Sequence, residues 1–351
     1  MRRSVVEVKG SITLAHGAGG KESALILKEL IFDRVEERLK KVPGGLGIDF
    51  PDDGATIPMG DGGFLVVSMD SYTVNPLFFP GGDIGKLAAC GSINDVVVMG
   101  ARPIAMLDSI VVEEGFPLED LERIVDSFLE VVRSERVAVI GGDFKVMPKG
   151  QLDGVVVSTV CLGISRRPIV DLPKPGDRIV VTGYLGDHGA TILALQQGIE
   201  LEGGDLKSDV APLTRTVLPV MEEFGGHVHA ARDPTRGGLA MVLNDWAQAS
   251  ETVIVVDGAK VPVRRKVRAY AEMLGIDPLY LASEGAAVLA VSPEVAEEVV
   301  KRLRELGCRE AAVVGEVRKG TKYSGLVLYR SEVGGLRILE PPTGELVPRI
   351  C

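Results

Sequence analysis

The sequence contains few cysteines, no long apolar run and fewer basic than acidic residues. Four cysteines in 351 residues, with no Cys-x-x-Cys pair, are too sparse for a disulfide framework and fit a reducing compartment. No stretch reaches the ~18 apolar residues that cross a membrane, and the N-terminus lacks the apolar centre of a signal peptide. We therefore expect a cytoplasmic protein without a membrane segment.

Positive charge is in deficit, with 39 basic residues against 49 acidic ones and a formal net charge of −10. Proteins bind nucleic acid largely through an excess of lysine and arginine, so this charge argues against a nucleic-acid partner. The apolar content of 46% and charged content of 25% are typical of a folded globular chain. The length favours two domains, and the expected partners are small molecules and proteins.

Strand and helix patterns alternate in both halves of the chain, which predicts an α/β or α+β fold. In the first half, helices are predicted at residues 21–41, 83–99 and 118–134, and strands at 64–69, 105–112, 137–140 and 154–162. In the second half, helices are predicted at 187–197, 212–224, 237–249, 261–274 and 293–306, and strands at 178–182, 252–256, 286–291, 311–314 and 325–328. The proline-rich residues 165–177 indicate a linker. The predicted organisation is an N-terminal domain (1–165), a C-terminal domain (175–333) and a flexible tail (334–351).

The sequence ends at Cys351, after a segment rich in glycine and proline. Residues 334–344 include three glycines and two prolines, a composition that favours extended chain over helix. A tail of about 16 such residues spans ~50 Å. A terminal thiol can enter a narrow pocket and afterwards be offered to another protein, so we expect Cys351 to be a carrier. The alternative is that a cysteine simply stands at a tolerant chain end.

Five aspartates interrupt apolar elements or follow predicted strands: Asp52, Asp53, Asp70, Asp95 and Asp143. Carboxylates just beyond buried strands lie where α/β folds bind ligands, and several together suit Mg²⁺. For any one of them, a turn or a helix cap is the simpler explanation. Asp95 lies in mid-helix between apolar neighbours, where an unpaired charge is costly, so a metal is its natural partner.

Cations and glycines that suit phosphate accompany these aspartates. Lys86 lies in the first turn of a predicted helix, whose free amides can bind phosphate. The glycine-rich residues 16–21 are either a phosphate-binding loop or a flexible lead into a helix. Residues 232–238 place two arginines at a glycine-rich helix start, which favours an anion site.

Together these motifs resemble the HypE family of hydrogenase maturation proteins, within the aminoimidazole ribonucleotide (AIR) synthetase and selenophosphate synthetase superfamily. The resemblance covers essentially the whole chain. Its closing Pro-Arg-x-Cys motif, residues 348–351, separates this family from relatives that lack the tail. The matching motifs are residues 16–20, 52–55, 70–72, 78–86, 94–95, 99–101, 141–146, 232–238 and 348–351.

The resemblance implies a two-domain AIR-synthetase-like fold, N-terminal sheets that pair in a homodimer, and ATP and Mg²⁺ as cofactors. The implied catalytic residues are Cys351, Glu284 and Lys145. The implied ATP-binding residues are Gly19, Gly20, Lys86, Asn94, Asp95, Asp143, Asp233, Thr235 and Arg236. The implied metal ligands are Asp52, Asp53, Asp70, Asp95 and Asp143. The residues implied in tail recognition are Pro348 and Arg349.

The chemistry implied by the resemblance starts when the carbamoyltransferase HypF loads a carbamoyl group onto Cys351. ATP-dependent dehydration then gives a thiocyanate, whose cyanide passes to iron on a HypC–HypD complex for the [NiFe]-hydrogenase centre. Either Glu284 or Lys145 is the base, and the lysine is alternatively an electrophile toward phosphate. A selenophosphate-synthetase-like enzyme and a non-catalytic nucleotide-binding scaffold are the alternatives. The first would need a reactive cysteine in residues 10–20, which contain none.

Overall fold

The first domain is built on a five-stranded sheet in which one pair of strands is parallel and the others are antiparallel. The computed structural model describes residues 10–199, 201, 206–320, 322–344 and 350–351. The strand order is β1-β2-β7-β5-β6, and β5 and β6 form the parallel pair. The strands are β1 Ala55–Pro58, β2 Phe64–Tyr72, β5 Arg102–Glu113, β6 Ala138–Met147 and β7 Val155–Ser165, while the short β3 Phe78–Phe79 and β4 Gly82–Asp83 form a separate hairpin.

Two helices, α2 Ile84–Val98 and α3 Leu118–Glu135, cover one face of this sheet. In α2, 13 of 15 residues are buried, because small and apolar side chains surround the helix on every side. The helix begins at Asp83, whose Oδ1 accepts the amide hydrogens of Gly85 and Lys86 at 2.8 and 3.0 Å. The almost completely buried α2 therefore forms the central element against which the second domain packs.

The outer face of the same sheet remains exposed in the single chain. Alternation along β2 turns Val66 and Ser68 toward the helices and Met69 away from them, where it is 68% exposed. Ile164 lies on the same outer face of β7 and is 43% exposed. An apolar sheet face without a cover is a place where another protein surface can pack.

The second domain contains a seven-stranded sheet of order β14-β13-β10-β12-β8-β11-β9, with β10 and β13 as its one parallel pair. Ile179 and Val181 of β8 face one apolar core, and Val180 between them faces the other. Burial on both faces explains why these strands are continuous apolar runs. The strands are β8 Arg178–Val181, β9 Val228–Arg232, β10 Val253–Asp257, β11 Val288–Val291, β12 Ala312–Arg318, β13 Leu326–Arg330 and β14 Leu336–Ile338. The helices are α4 Asp187–Gln196, α5 Val217–Phe224, α6 Gly238–Ala249, α7 Arg265–Leu274 and α8 Ala296–Glu305.

The N-terminal helix is shorter than the apolar pattern predicts. Helix α1, Lys21–Leu27, continues as a π-helical turn over Lys28–Phe32 and then ends, whereas a helix was predicted over residues 21–41. The amide of Asp33 bonds to the carbonyl of Lys28 at 2.8 Å, and its carboxylate pairs with the Lys28 ammonium at 2.6 Å. This wider turn closes the helix, and only a 3₁₀ turn at Glu37–Leu39 follows.

The first part of the predicted tail is a strand. Leu336–Ile338 pairs antiparallel with β13, and Leu339 is fully buried. The carbonyl of Leu339 accepts a hydrogen bond from Asn244 Nδ2 at 3.0 Å. The following residues reach the N-terminal segment, where the Gly344 amide lies 3.4 Å from Glu22 Oε1.

The predicted class of fold, two domains of mixed helix and sheet, is confirmed. The boundaries 1–165, 175–333 and 334–351 stay a prediction. Among the helices in the described ranges, none is long and apolar enough to traverse a bilayer.

Candidate active site

Six carboxylates from separate parts of the chain converge between the two domains. Asp52 and Asp53 precede β1, Asp70 lies on β2 and Asp95 on α2. Asp171 comes from the interdomain segment, and Asp233 follows β9. Five of them form two overlapping groups, Asp52–Asp53–Asp171 and Asp53–Asp95–Asp233, in each of which three carboxylate oxygens lie within 4.8 Å of one another, and Asp70 belongs to neither group. Such groups of oxygen ligands are what Mg²⁺ requires.

Arg232 forms ion pairs with the first group of carboxylates. Its Nη2 lies 2.8 Å from Asp171 Oδ2, its Nη1 3.0 Å from Asp245 Oδ2 and its Nε 3.3 Å from Asp53 Oδ1. The guanidinium is only 15% exposed, and its donors face carboxylates. Arg232 therefore holds the acidic groups together, and its donors are not turned toward a phosphate as the two-arginine motif suggests.

Burial raises the pKa values of this cluster. It raises the pKa of Asp52 to about 7, with the neighbouring Asp171 carboxylate adding to the effect. It also raises the pKa values of Asp53, Asp95 and Asp233 well above the usual range, and nearby carboxylates raise them further. Asp95 accepts a short hydrogen bond from the Ser68 hydroxyl, which acts in the opposite direction. A divalent cation is the natural compensation for so many buried acids.

Glu284 is held by its main chain and leaves its carboxyl group unpaired. It is 1% exposed, and neither Oε1 nor Oε2 has a hydrogen-bond partner among the described residues. Its amide donates to Asp209 Oδ1 at 3.1 Å, and its carbonyl accepts from Asn94 Nδ2 at 3.2 Å. Burial, and then the carboxylates of Asp233 and Asp209, raise its pKa well above the usual range. A buried carboxyl of this kind is suited to proton transfer.

The chain end lies in the same site. A main-chain oxygen of Cys351 accepts hydrogen bonds from the Thr73 amide at 2.9 Å and the Thr73 hydroxyl at 3.1 Å. Burial raises the pKa of the thiol to about 12, Arg236 acts to lower it, and Glu284 and Asp70 raise it further. The thiol is therefore electrostatically coupled to the carboxylates and to Glu284. Pro348 and Arg349, predicted to recognise the tail, lie outside the described residues.

A cleft of about 500 Å³ opens beside the carboxylates. Gly19 has a φ of +75°, and a Cβ there would lie 2.5 Å from the Arg236 side chain, so only glycine lets the N-terminal loop approach this closely. Arg236 Nη2 lies 3.4 Å from Asp70 Oδ1, and its side chain is about half exposed, so among the described residues it keeps N–H donors that no protein acceptor takes. The cleft has the volume of a small-molecule site. Its lining includes Gly19, Gly20, Asp52, Asp53, Asp233, Thr235, Arg236 and Trp246.

Two further predicted nucleotide ligands have protein partners. Asn94 uses both ends of its amide, donating to the carbonyls of Ala211 and Glu284 and accepting the Leu213 amide hydrogen at 2.9 Å. It ties α2 to the second domain. Lys86 Nζ donates to the Gly81 carbonyl at 2.8 Å and remains partly exposed.

Asp143 and Lys145 are not brought to the carboxylates of the same chain. They lie on the exposed strand β6, where Lys145 Nζ pairs with Asp143 Oδ1 at 2.6 Å. Register places Asp70 opposite Thr159, Thr159 opposite Asp108, and Asp108 opposite Gly142. Asp143 is thus about three strand spacings, roughly 14 Å, from Asp70. Alternation also turns its side chain to the outer face of the sheet.

The sequence motifs did not indicate three residues that belong to the site, Asp171, Asp245 and Thr73. Asp245 offered the same signal as Asp95, a carboxylate inside an otherwise apolar helix. Asp171 stands between Val170 and Leu172 in the stretch interpreted as a linker, where a single buried aspartate gives no pattern. Thr73 carries no sequence signal for its role.

The chain matches the family models described as AIR synthase related protein, N-terminal domain, over residues 51–165 and C-terminal domain over residues 174–327. The "Carbamoyl dehydratase HypE" of Rhizobium leguminosarum bv. viciae is 38% identical over 355 residues, which cover 100% of this chain and 98% of that protein. The chain belongs to the HypE family. The resemblance drawn from the motifs is thereby confirmed.

Solved structures of HypE proteins share the fold of this HypE-family chain. One, described as hydrogenase maturation protein HypE in complex with ATP, is 38% identical, with a TM-score of 0.78 and coverage of 97% of this chain and 100% of that chain. Another, of a HypE–HypF complex, is 34% identical, with a TM-score of 0.81 and coverage of 90% and 99%. Those two proteins therefore bind, respectively, ATP and HypF.

Proposed function

We propose that the protein uses ATP to dehydrate a carbamoyl group carried on the Cys351 thiol, which gives a protein-bound thiocyanate. The observation that carries the proposal is the position of Cys351: Thr73, three residues after Asp70, holds its main chain, and the charges of Arg236, Glu284 and Asp70 act on the pKa of its thiol. The relatives named carbamoyl dehydratase and the relative solved with ATP support it.

The proposed reaction has two steps. The amide oxygen of the carbamoyl group attacks the γ-phosphorus of ATP, the bond from that phosphorus to the β-phosphate oxygen breaks, and ADP leaves. The phosphorylated group then gives one N–H proton to water and becomes an O-phosphoryl imidate. A base then removes the remaining N–H proton, the C–O bond breaks, and phosphate leaves as the C≡N bond forms. Glu284 is the proposed base, because its carboxyl group is buried, has no hydrogen-bond partner among the described residues, and acts through its charge on the pKa of the Cys351 thiol.

The carboxylates fit a magnesium-bound nucleotide. Asp53 Oδ2 and Asp233 Oδ2 are buried without a hydrogen-bond partner in the part of the chain that the structure describes, so each has a free lone pair for a cation. Asp52, Asp53, Asp70 and Asp95 would hold Mg²⁺, which when bound neutralises charge on the transferring phosphoryl group. The phosphates would be contacted by the cleft residues Gly19, Gly20, Thr235 and Arg236. Lys86 is a further proposed phosphate ligand.

A homodimer would give Asp143 and Lys145 a role. Within one chain they lie far from the carboxylates, but they stand on the exposed outer face that carries Met69 and Ile164. If a second copy covers that face, their reach extends to the site of the partner chain. We also propose that HypF transfers the carbamoyl group to Cys351 and that a HypC–HypD complex accepts the cyanide. The proposed location is the cytoplasm.

Mass spectrometry of the C-terminal peptide tests the function. After incubation with HypF, a carbamoyl donor and ATP, we expect a carbamoyl adduct on Cys351 that loses one water, and no adduct on the Cys351→Ala variant. An adduct that keeps its water in the presence of Mg²⁺ and ATP would support a scaffold. ATP turnover that phosphorylates a free small molecule would support the selenophosphate-synthetase-like alternative.

A further inference from the structure

Two elements from different domains hold the last two residues of the chain. His188 Nε2, on α4 of the second domain, lies 2.8 Å from the carbonyl oxygen of Ile350. Thr73, directly after β2 of the first domain, donates twice to the main-chain oxygen of Cys351. The last two residues therefore bridge the two domains, next to the strand that carries Asp70.

The hydrogen-bond roles of His188 are fixed by its surroundings. The ring is fully buried, and burial lowers its pKa to about 4, so it is neutral near pH 7. The carbonyl oxygen of Ile350 can only accept, so the neutral ring carries its hydrogen on Nε2 and donates it to Ile350. Nδ1 is then the acceptor of the hydroxyl hydrogen of Ser208, whose Oγ lies 2.8 Å away and itself accepts the Val210 amide hydrogen at 3.1 Å. Phe79 packs edge-on against the ring, with centroids 5.4 Å apart.

The same short segment also orients the proposed base. Asp209, next to Ser208 in the chain, accepts the amide hydrogens of Glu284 and Gly285 at 3.1 and 3.2 Å. A Cβ at Gly285 would lie 1.9 Å from the Asp209 carbonyl oxygen, so this contact requires glycine. The Ser208–Asp209 pair thus connects the ring that holds the tail with the loop that carries Glu284.

We propose that His188 is a positioning residue, which seats the tail through the Ile350 carbonyl while Asp209 aligns Glu284 with the seated thiol. The effect of His188 on catalysis rests on the proposed dehydration, whereas the hydrogen bond by which it holds the tail does not. His188 acts only through the position of Cys351.

Two conservative substitutions of His188 distinguish the contact made by Nε2 from the contact made by Nδ1. In His188→Gln the amide nitrogen extends to the region of Nε2 and can still donate to Ile350. In His188→Asn the amide reaches only the region of Nδ1, so the contact with Ser208 is kept and the contact with the tail is lost. The probe is iodoacetamide at constant pH, and the alkylated fraction of Cys351 is read by mass spectrometry of the C-terminal peptide.

We expect His188→Asn to alkylate about 2- to 10-fold faster than wild type, the range for one lost neutral hydrogen bond, and His188→Gln to stay near wild type. Ser208→Ala, which leaves the ring in place, should move alkylation in the same direction as the asparagine variant. Equal alkylation rates of wild type, His188→Asn and Ser208→Ala would refute the proposal that His188 holds the tail.

The second readout is dehydration of the carbamoylated protein. We expect His188→Asn to slow water loss about 2- to 10-fold at an unchanged KM for ATP, with rescue by His188→Gln. Faster alkylation with unchanged water loss would overturn the positioning role. Absence of water loss from the wild-type protein as well would overturn the proposed function, while alkylation would still decide whether the seat exists.

Discussion

Glu284→Gln should lower activity and raise stability together. The amide has nearly the same volume as the carboxyl group, and no hydrogen bond of the side chain is lost among the described residues. Without the base, we expect dehydration to slow by ~10²-fold or more, the usual scale for a lost general base. Binding of ATP should be unchanged, because the carboxylate cluster and Arg236 remain.

The stability change has a definite sign. Burial raises the pKa of Glu284, so over a window that starts near the ordinary pKa of glutamate the folded state binds more protons than the unfolded state. Stability is therefore lost as pH rises through that window. The glutamine variant does not titrate, and its advantage over wild type should grow by up to about 1.4 kcal/mol per pH unit.

Urea unfolding of both proteins between pH 5 and 8, without nucleotide or added magnesium, measures this difference, and mass spectrometry measures dehydration. Glu284→Asp is the matched control, since it keeps the carboxyl group and withdraws it from the thiol. Parallel stability curves would show that Glu284 is not the buried acid described above. Undiminished dehydration in Glu284→Gln would refute its role as the base.

Four other substitutions or conditions test the site. Asp95→Asn should abolish ATP hydrolysis with the fold intact by circular dichroism, because it removes a metal-binding charge at nearly constant volume. Gly19→Ala should raise the KM for ATP, while Gly198→Ala, with a similar φ of +69° and open space around it, should lose only about 1 kcal/mol of stability. Met69→Glu should give monomers in sedimentation analysis, unlike Val333→Glu at a 95% exposed position. Because burial lowers the pKa of His188 to about 4 from an ordinary 6.5, stability is present above pH 6.5 and falls toward pH 4, so wild type should lose about 2 kcal/mol more than His188→Gln between pH 7 and 5 in urea unfolding.

Local sequence patterns were sufficient to predict the helices and strands in which buried and exposed residues follow a regular pattern. The helix predicted at residues 187–197 is observed at Asp187–Gln196, and the strand predicted at 64–69 extends to Tyr72. Strand β9, Val228–Arg232, was missed because two histidines and glycines nearby resemble a loop. Its place at the sheet edge follows from pairing with β11, which is not encoded in the segment itself.

The candidate site was predictable where a charge broke an apolar pattern. Asp95 stands out for this reason, and the structure places it in the carboxylate cluster. Glu284 precedes an apolar strand and was implied by the family resemblance, and the structure buries its carboxyl group. The role of Arg232 depends on four carboxylates from distant segments, so its motif alone suggested a phosphate ligand. Asp143 and Lys145 show the converse, because a motif next to a strand does not reveal to which face of the sheet it turns.

Strand β14 changes the geometry of the carrier. Because Leu336–Ile338 is paired to β13 and the Gly344 amide contacts Glu22, only seven residues separate this contact from Cys351, whatever holds the last two residues. Fully extended, they span roughly 25 Å, about half the reach of an unanchored tail. A thiol on so short a tether explores a small volume, which raises its effective concentration at its own active site. Under the proposed carrier chemistry, enzymes that load or unload the thiol would dock on the surface around the cleft, and the tether length would limit how far from that cleft their own reactive centres can be.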